Sequence, residues 1–321
     1  MDVKFDVQHA VADPRWTPAI LSPAAMTRFA RAAEESGYGA LGFTDHPAPS
    51  GTWVRSGGEG SVDPFSALGF CAAVTSKIRL LTWVLVLPYR NPMLTAHQTA
   101  SLDALSGGRL IVGVGAGYLR GEFRALGIDF TTRREVFDEA IEVVRAAWSD
   151  GDVTYQGKGF EAKENRVQPS PAQRPGPRCG STATAGSAWN AQPGTRTGGW
   201  ACSRPARLAE TMRTAPIDGI DELARRIEKL RELTEKEGRP ADGVEVSISG
   251  RWGMLDIRRG WDTARIQDDV AALEACGVDR AVMVICGDDP GAAEDTVRRF
   301  GEEFALPRAR RERAKVDAFD A

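Results

Sequence analysis

Of the three histidines in the sequence, His9, His46 and His97, only His46 stands beside an acid, in Thr44-Asp45-His46-Pro47. An imidazole exchanges protons near neutral pH, and a neighbouring carboxylate tunes it. The pair could therefore act as acid and base, or simply cap the segment that follows; local pattern leaves both readings open. Further along, Leu80-Leu81-Thr82-Trp83-Val84-Leu85 ends an apolar run on a large flat side chain, which spacing alone reads as core filler. Gly113-Val114-Gly115-Ala116-Gly117 supplies backbone without bulk, which a flat or phosphorylated group can approach closely. No lysine falls at a strand end where a Schiff base would form, and no residues show metal-ligand spacing. The five cysteines, Cys71, Cys179, Cys202, Cys276 and Cys286, are scattered and read as reduced packing residues.

Strands and helices alternate around these residues. Val3 to Val7 is β-like; Met26, Phe29, Ala30 and Ala33 recur at helical spacing, and Gly37 stands where that helix would stop. Ala40 to Thr44 reads as a buried strand. The cycle repeats with a helix from Asp63-Pro64 through Ala67, Phe70 and Val74, then a strand from Ile78 to Leu87, a helix from Leu94 to Leu105 and a strand from Arg109 to Gly113. Arg133 to Trp148 is strongly amphipathic. Beyond a gap, Asp221 to Leu233 and Arg265 to Ala275 read as helices, Val244 to Ile248 and Arg280 to Ile285 as strands. Strands too apolar for a wet face predict a parallel sheet covered by helices. The number of units predicts an α/β fold, a (β/α)8 TIM barrel, as one domain over residues 1–305 with a charged tail over 306–321. A doubly wound sheet is the competitor, with Gly113 to Gly117 as its dinucleotide loop. That loop belongs after the first strand, however, and here the glycines follow about the fourth and run into Tyr118-Leu119-Arg120-Gly121. In a barrel the reactive groups sit at the C-terminal ends of the strands, which selects His46, Trp83 and the Gly113–Gly117 stretch.

Composition narrows the partners. With 321 residues, 42% hydrophobic and 26% charged, the chain can bury a sizeable core. A formal charge of −3 gives no overall drive towards nucleic acid or anionic lipid. The basic run RARRERAK, Arg308 to Lys315, reads as a solvated terminal helix. No apolar run approaches the ~20 residues of a bilayer span, and Met1-Asp2-Val3-Lys4-Phe5 lacks the order of a signal peptide. The expectation is a cytoplasmic protein.

Several long motifs, in order, carry a family likeness: Thr44-Asp45-His46-Pro47, Asp63-Pro64-Phe65, Leu85-Val86-Leu87-Pro88-Tyr89-Arg90-Asn91-Pro92, Leu102-Asp103-Ala104-Leu105-Ser106-Gly107-Gly108-Arg109-Leu110 and Gly113-Val114-Gly115-Ala116-Gly117-Tyr118. The sequence resembles the bacterial luciferase-like monooxygenase family, and more narrowly its deazaflavin (coenzyme F-420) dependent branch. The likeness is dense to about residue 177 and looser over 207–305. It implies a luciferase-like TIM barrel holding coenzyme F-420, or alternatively FMN, at its mouth. The ring would lie against a bulge in the third strand, with a non-proline cis peptide at Trp83 to Val84. By the same resemblance His46 is the acid/base, Asp45 bonds the cofactor, Thr82, Trp83 and Val84 form its bed, and Gly115, Gly117 and Tyr118 line its edge. The implied activity is that of an oxidoreductase or monooxygenase working on a small organic substrate by hydride transfer or oxygen activation. A separate cofactor reductase and a homodimer are the implied partners.

One segment does not fit. Residues 178–205 contain no Leu, Ile, Val, Phe or Met, although a barrel needs a strand there. Similar proteins place here a strand ending in a phosphate-gripping Gly-Asn-Ser. Reading the codons one register over turns Trp189-Asn190 into Glu and permits that motif, which suggests compensating frame slips near Arg178 and Cys202. Taken as written, the segment implies a damaged phosphate grip and a catalytically impaired barrel. A barrel isomerase or aldolase acting on a phosphorylated small molecule is disfavoured by the lack of a strand-end lysine.

Overall fold

The computed structural model describes residues 2–13, 15–149, 151–182, 197–203, 217, 219–236 and 238–319. Its strands in chain order are β1 Lys4–Gln8, β2 Ala40–Phe43, β3 Arg79–Val86, β4 Leu110–Gly115, β5 Val153–Gly157, β6 Phe160–Asn165, β7 Arg178–Thr182, β8 Thr197–Ser203, β9 Val244–Asp256 and β10 Arg280–Cys286. Eight of them close a parallel barrel in the order β1-β10-β9-β8-β7-β4-β3-β2, while β5 and β6 form a separate antiparallel pair. The fold is the expected TIM barrel.

Period-two alternation divides the strands into two faces. On β1 the outward Phe5 and Val7 join the main core, where Phe5 meets Phe300 edge-on at 5.4 Å. Ala40, Leu81, Trp83, Ile111 and Val282 form a second, smaller cluster inside the barrel. The helices that cover the outside are α1 Pro23–Glu35, α2 Gly51–Arg55, α3 Pro64–Val74, α4 Pro92–Leu105, α5 Arg120–Ala125, α6 Arg133–Trp148, α7 Ile220–Lys236, α8 Thr263–Cys276, α9 Pro290–Phe300 and α10 Leu306–Phe319. Four of them start on one device: Ser22-Pro23, Asp63-Pro64, Asn91-Pro92 and Asp289-Pro290. In each, the first residue's side chain accepts a backbone N–H from the first turn and the proline presets φ for the helix. Each strand-to-helix turn so capped is fixed in length, and it is these turns that build the mouth.

β3 carries the expected bulge. Its register against β4 shifts between Thr82 and Leu85, and the Trp83–Val84 peptide is cis. Gly113 makes room for it, because a Cβ there would lie 2.3 Å from the Thr82 carbonyl oxygen. The Thr82 hydroxyl donates to the Gly113 carbonyl at 2.8 Å and locks the two strands at that level.

At the opposite end of the barrel, Asp6 and Arg280 form a buried two-point ion pair, with Arg280 Nε donating to Asp6 Oδ2 at 2.7 Å. Gly39 packs against this guanidinium, where a Cβ would come within 2.6 Å of Nη2.

The segment that looked unfit for a strand supplies two. β7 pairs with β4, β8 pairs with β7 and β9, and backbone pairing rather than branched side chains closes the wall. Residues 183–196 and 204–216, on which the phosphate grip and most of the frame-slip reading fall, lie outside the described residues. The basic C-terminal run is helical: α10 continues from a π-helical turn at Gly301–Ala305, and Arg308 donates to the Phe304 carbonyl at 3.2 Å. Among the described residues, no helix is long and apolar enough to cross a membrane.

Candidate active site

β2 stops at Phe43, and Thr44-Asp45-His46 leave its C-terminal end directly into the mouth. His46 is only 7% exposed. Its Nδ1 lies 3.1 Å from Oε2 of Glu122, a carboxylate on α5 that is fully buried. Glu122 is itself held: the Tyr89 hydroxyl donates to Oε2 at 2.9 Å and the Ala48 N–H to Oε1 at 3.1 Å. Burial, with Glu122 next to it, pushes the Tyr89 phenol well above its usual range, so it remains a donor. The other ring nitrogen, Nε2, has the Tyr118 hydroxyl at 3.3 Å and Glu59 Oε1 at 3.6 Å. Burial favours the neutral ring, but the Glu122 and Glu59 carboxylates beside it outweigh that and raise His46 to about 9. At neutral pH the ring is thus an imidazolium between two carboxylates.

Asp45 ties two strand ends together. Its oxygens accept from Arg90 Nη1 at 2.5 Å and Nη2 at 2.8 Å, and from the Val86 N–H at 2.9 Å. The resemblance assigns Asp45 a bond to a cofactor; within the chain its carboxylate is already engaged by a bidentate guanidinium. Beside it, the buried Thr44 hydroxyl has no partner among the described residues.

The remaining expected residues lie at the ends of β3 and β4. Trp83 is 8% exposed inside the barrel, Val84 is partly exposed, Thr82 is spent on Gly113, and Gly115 is the last residue of β4. Gly117 has φ +76°, and a Cβ there would come within 2.7 Å of Val86 Cγ1 and 2.9 Å of Phe123 Cε2. Only glycine turns the chain here, and that turn brings Tyr118 edge-on to His46, ring centres 5.7 Å apart. The other two histidines stand apart. His9 is buried against Phe29 and Phe43 and is lowered to about 3 by burial, while His97 is exposed on α4. Among the described residues no His/Cys/Asp/Glu group is arranged to hold a metal.

Glu122, Tyr89, Arg90 and Glu59 were not singled out from the sequence. Tyr89 and Arg90 lie inside a quoted motif, and Glu122 follows the Gly117 turn by five residues, so their place was available. Glu59, flanked by Gly58 and Gly60, carries only the signature of a solvated loop.

A family model described as luciferase-like monooxygenase matches residues 4–254. The chain belongs to that family. Within it, 4-hydroxyprotoasukamycin monooxygenase from Streptomyces nodosus subsp. asukaensis is 30% identical over 223 residues, covering 65% of this chain and 58% of that protein. An FMNH2-dependent dimethylsulfone monooxygenase from Pseudomonas putida is 32% identical over 108 residues, 33% of this chain and 30% of its own length. The chain spans about half the length of the first curated relatives it matches. Among solved structures, the coenzyme F-420-dependent tetrahydromethanopterin reductase from Methanopyrus kandleri superposes with a TM-score of 0.68 at 16% identity, over 94% of this chain and 98% of that one. The barrel is therefore shared by F-420- and FMN-dependent enzymes.

Proposed function

We propose that this chain is an oxidoreductase that binds a flavin-type coenzyme across the barrel mouth, coenzyme F-420 in the first instance and FMN as the alternative, and acts on a small organic substrate. The observation that carries the reading is the buried imidazole of His46 at a strand end, with Glu122 Oε2 3.1 Å from Nδ1 and Glu59 Oε1 3.6 Å from Nε2. The residues fit such a group: a buried, unpartnered Thr44 hydroxyl can bond the polar edge of a planar ring, and the Trp83–Val84 bulge offers that ring a bed beside side-chain-free Gly115. When bound, a deazaflavin supplies hydride transfer, and a reduced flavin supplies oxygen activation as well.

The chain's own part is proton handling and orientation. Glu122 accepts from Nδ1 and so fixes which nitrogen faces the mouth, and Tyr89 and the Ala48 N–H keep Glu122 from turning. His46 holds a proton at Nε2 for the substrate atom that gains electrons. The Asp45–Arg90 pair fixes the ends of β2 and β3 relative to each other, and Gly117 and Tyr118 bound the other side. A homodimer, a cytoplasmic location and, in the FMN case, a separate reductase belong to the same proposal.

The second reading is an impaired barrel, favoured by one observation: residues 178–205 contain no Leu, Ile, Val, Phe or Met. Titration of the full chain with F-420 and with FMN, followed by quenching of coenzyme fluorescence, separates the readings. Saturable quenching by either supports the enzyme, and quenching by neither supports the impaired barrel.

A further inference from the structure

The loop between β2 and α3 does more than connect. Ser50 caps α2 by accepting the Trp53 N–H at 3.2 Å, and α2 ends in a left-handed Gly57, φ +83°. The Gly57 N–H then bonds the Val54 carbonyl and the Gly58 N–H the Trp53 carbonyl, the double bond pattern that reverses a chain at a helix end. The reversal folds the next residues back across the helix. The Trp53 indole lies flat on Gly58, where a Cβ would sit 2.2 Å from the ring, and its Nε1 donates to the Glu59 carbonyl at 2.9 Å. The same indole meets the Tyr118 ring in a T-shaped contact, ring centres 6.1 Å apart. Two residues on, Ser61 Oγ accepts the His46 N–H at 2.7 Å. The Glu59 backbone is thus pinned on one side by Trp53 and on the other through Ser61, and its side chain, 17% exposed, turns to His46 Nε2.

From this geometry we infer that Glu59 is a positioning residue for His46. Braced by Trp53, it closes over the outer nitrogen of the ring, holds the proton there, and gives way when a substrate takes that nitrogen. The inference deepens the proposed function by naming what sets the proton on its acid/base group. Among the described residues, the charged or titratable groups at the ring are Glu122 from α5, which Tyr89 from the turn after β3 holds, Tyr118 from the turn after β4, Glu59 from the loop after α2, and alongside them Asp45 paired with Arg90. Of the two carboxylates on the ring, Glu122 is buried and held by Tyr89 and Ala48, whereas Glu59 comes from a loop and is partly exposed. Departure of Glu59 removes a favourable partner of the charged ring, so the proton becomes easier to give at the moment the substrate arrives.

The test follows the imidazole signals of His46 by NMR in the full chain, labelled at histidine and free of coenzyme, from pH 6 to pH 10. The wild type is expected to titrate near 9. Glu59→Gln keeps the shape and removes the charge, and should lower the midpoint by about one pH unit or more, a tenfold change in acidity. Trp53→Phe keeps a ring on Gly58 but loses the Nε1 bond, and should lower it by a smaller amount. A Glu59→Gln midpoint equal to wild type in a folded protein overturns the inference. If that variant does not fold, an unchanged midpoint in Trp53→Phe overturns it instead. Because no coenzyme is present, failure of the chain to bind F-420 or FMN would sink the proposed function and leave this result standing.

Discussion

The barrel buries charge at both ends, and the two ends are built on opposite rules. Towards the N-terminal end Asp6 and Arg280 meet, both carboxylate oxygens accepting from the guanidinium, with Gly39 packed against them. At the mouth one imidazole stands between two carboxylates, one phenol bonds the ring and another bonds Glu122, and the Thr44 hydroxyl has no partner among the described residues. The first arrangement is closed and serves the fold. The second sets a ring nitrogen that faces the opening beside a carboxylate and a phenol, where a proton on it is favoured. Strand ends at the N-terminal face of a barrel carry stability, and those at the C-terminal face carry chemistry.

The sharpest way to break this contrast is Asp6→Asn. Removing the carboxylate that accepts from both Nε and Nη2 of the buried Arg280 should cost about 3–5 kcal/mol in a denaturant melt. Coenzyme affinity of the folded fraction should stay at wild type, because Asp6 pairs with Arg280, the first residue of β10, rather than with any residue of the mouth. A melt within 1 kcal/mol of wild type would show that the pair is not closed.

The mouth should differ in its response to pH. Its ring is raised from 6.5 to about 9. The raised group therefore contributes stability that is fully present below pH 6.5 and is lost as pH rises through 9, on the order of 3 kcal/mol in all. Denaturant melts from pH 6 to pH 10 should show this loss in the wild type and not in His46→Ala. Loss of stability of the same size in both would assign it to another group.

The next effect is on turnover. His46→Ala should leave the fold intact and lower turnover by roughly 10²-fold if the ring supplies the proton. An unchanged rate would remove His46 from the chemistry and leave it as a structural residue.

The two ends also differ in what the sequence reveals. His46 could be found because it is the one histidine with an adjacent acid, and β3, β4 and β10 because their apolar runs are continuous. The partners of His46 could not be ranked, since Glu122 lies 76 residues away and meets the ring only after α5 docks. The same holds for Arg90, which reaches Asp45 from 45 residues on and ties the end of β2 to the turn after β3. β7 and β8 escaped notice because Gly180, Gly198 and Gly199 and their polar neighbours carry no strand pattern; backbone pairing with β4 and β9 defines them. The antiparallel pair β5 and β6, mostly solvent-facing, lacked an apolar run for the same physical reason.

The central claim is that a planar redox ring lies over the Trp83–Val84 bulge within reach of His46. A crystal structure of the full chain with coenzyme F-420 tests it most directly. The account predicts ring density against that bulge, with a polar edge on Thr44 and Glu59 no longer on Nε2. A mouth that stays filled by the chain's own side chains in the presence of saturating F-420, and again with FMN, would contradict it.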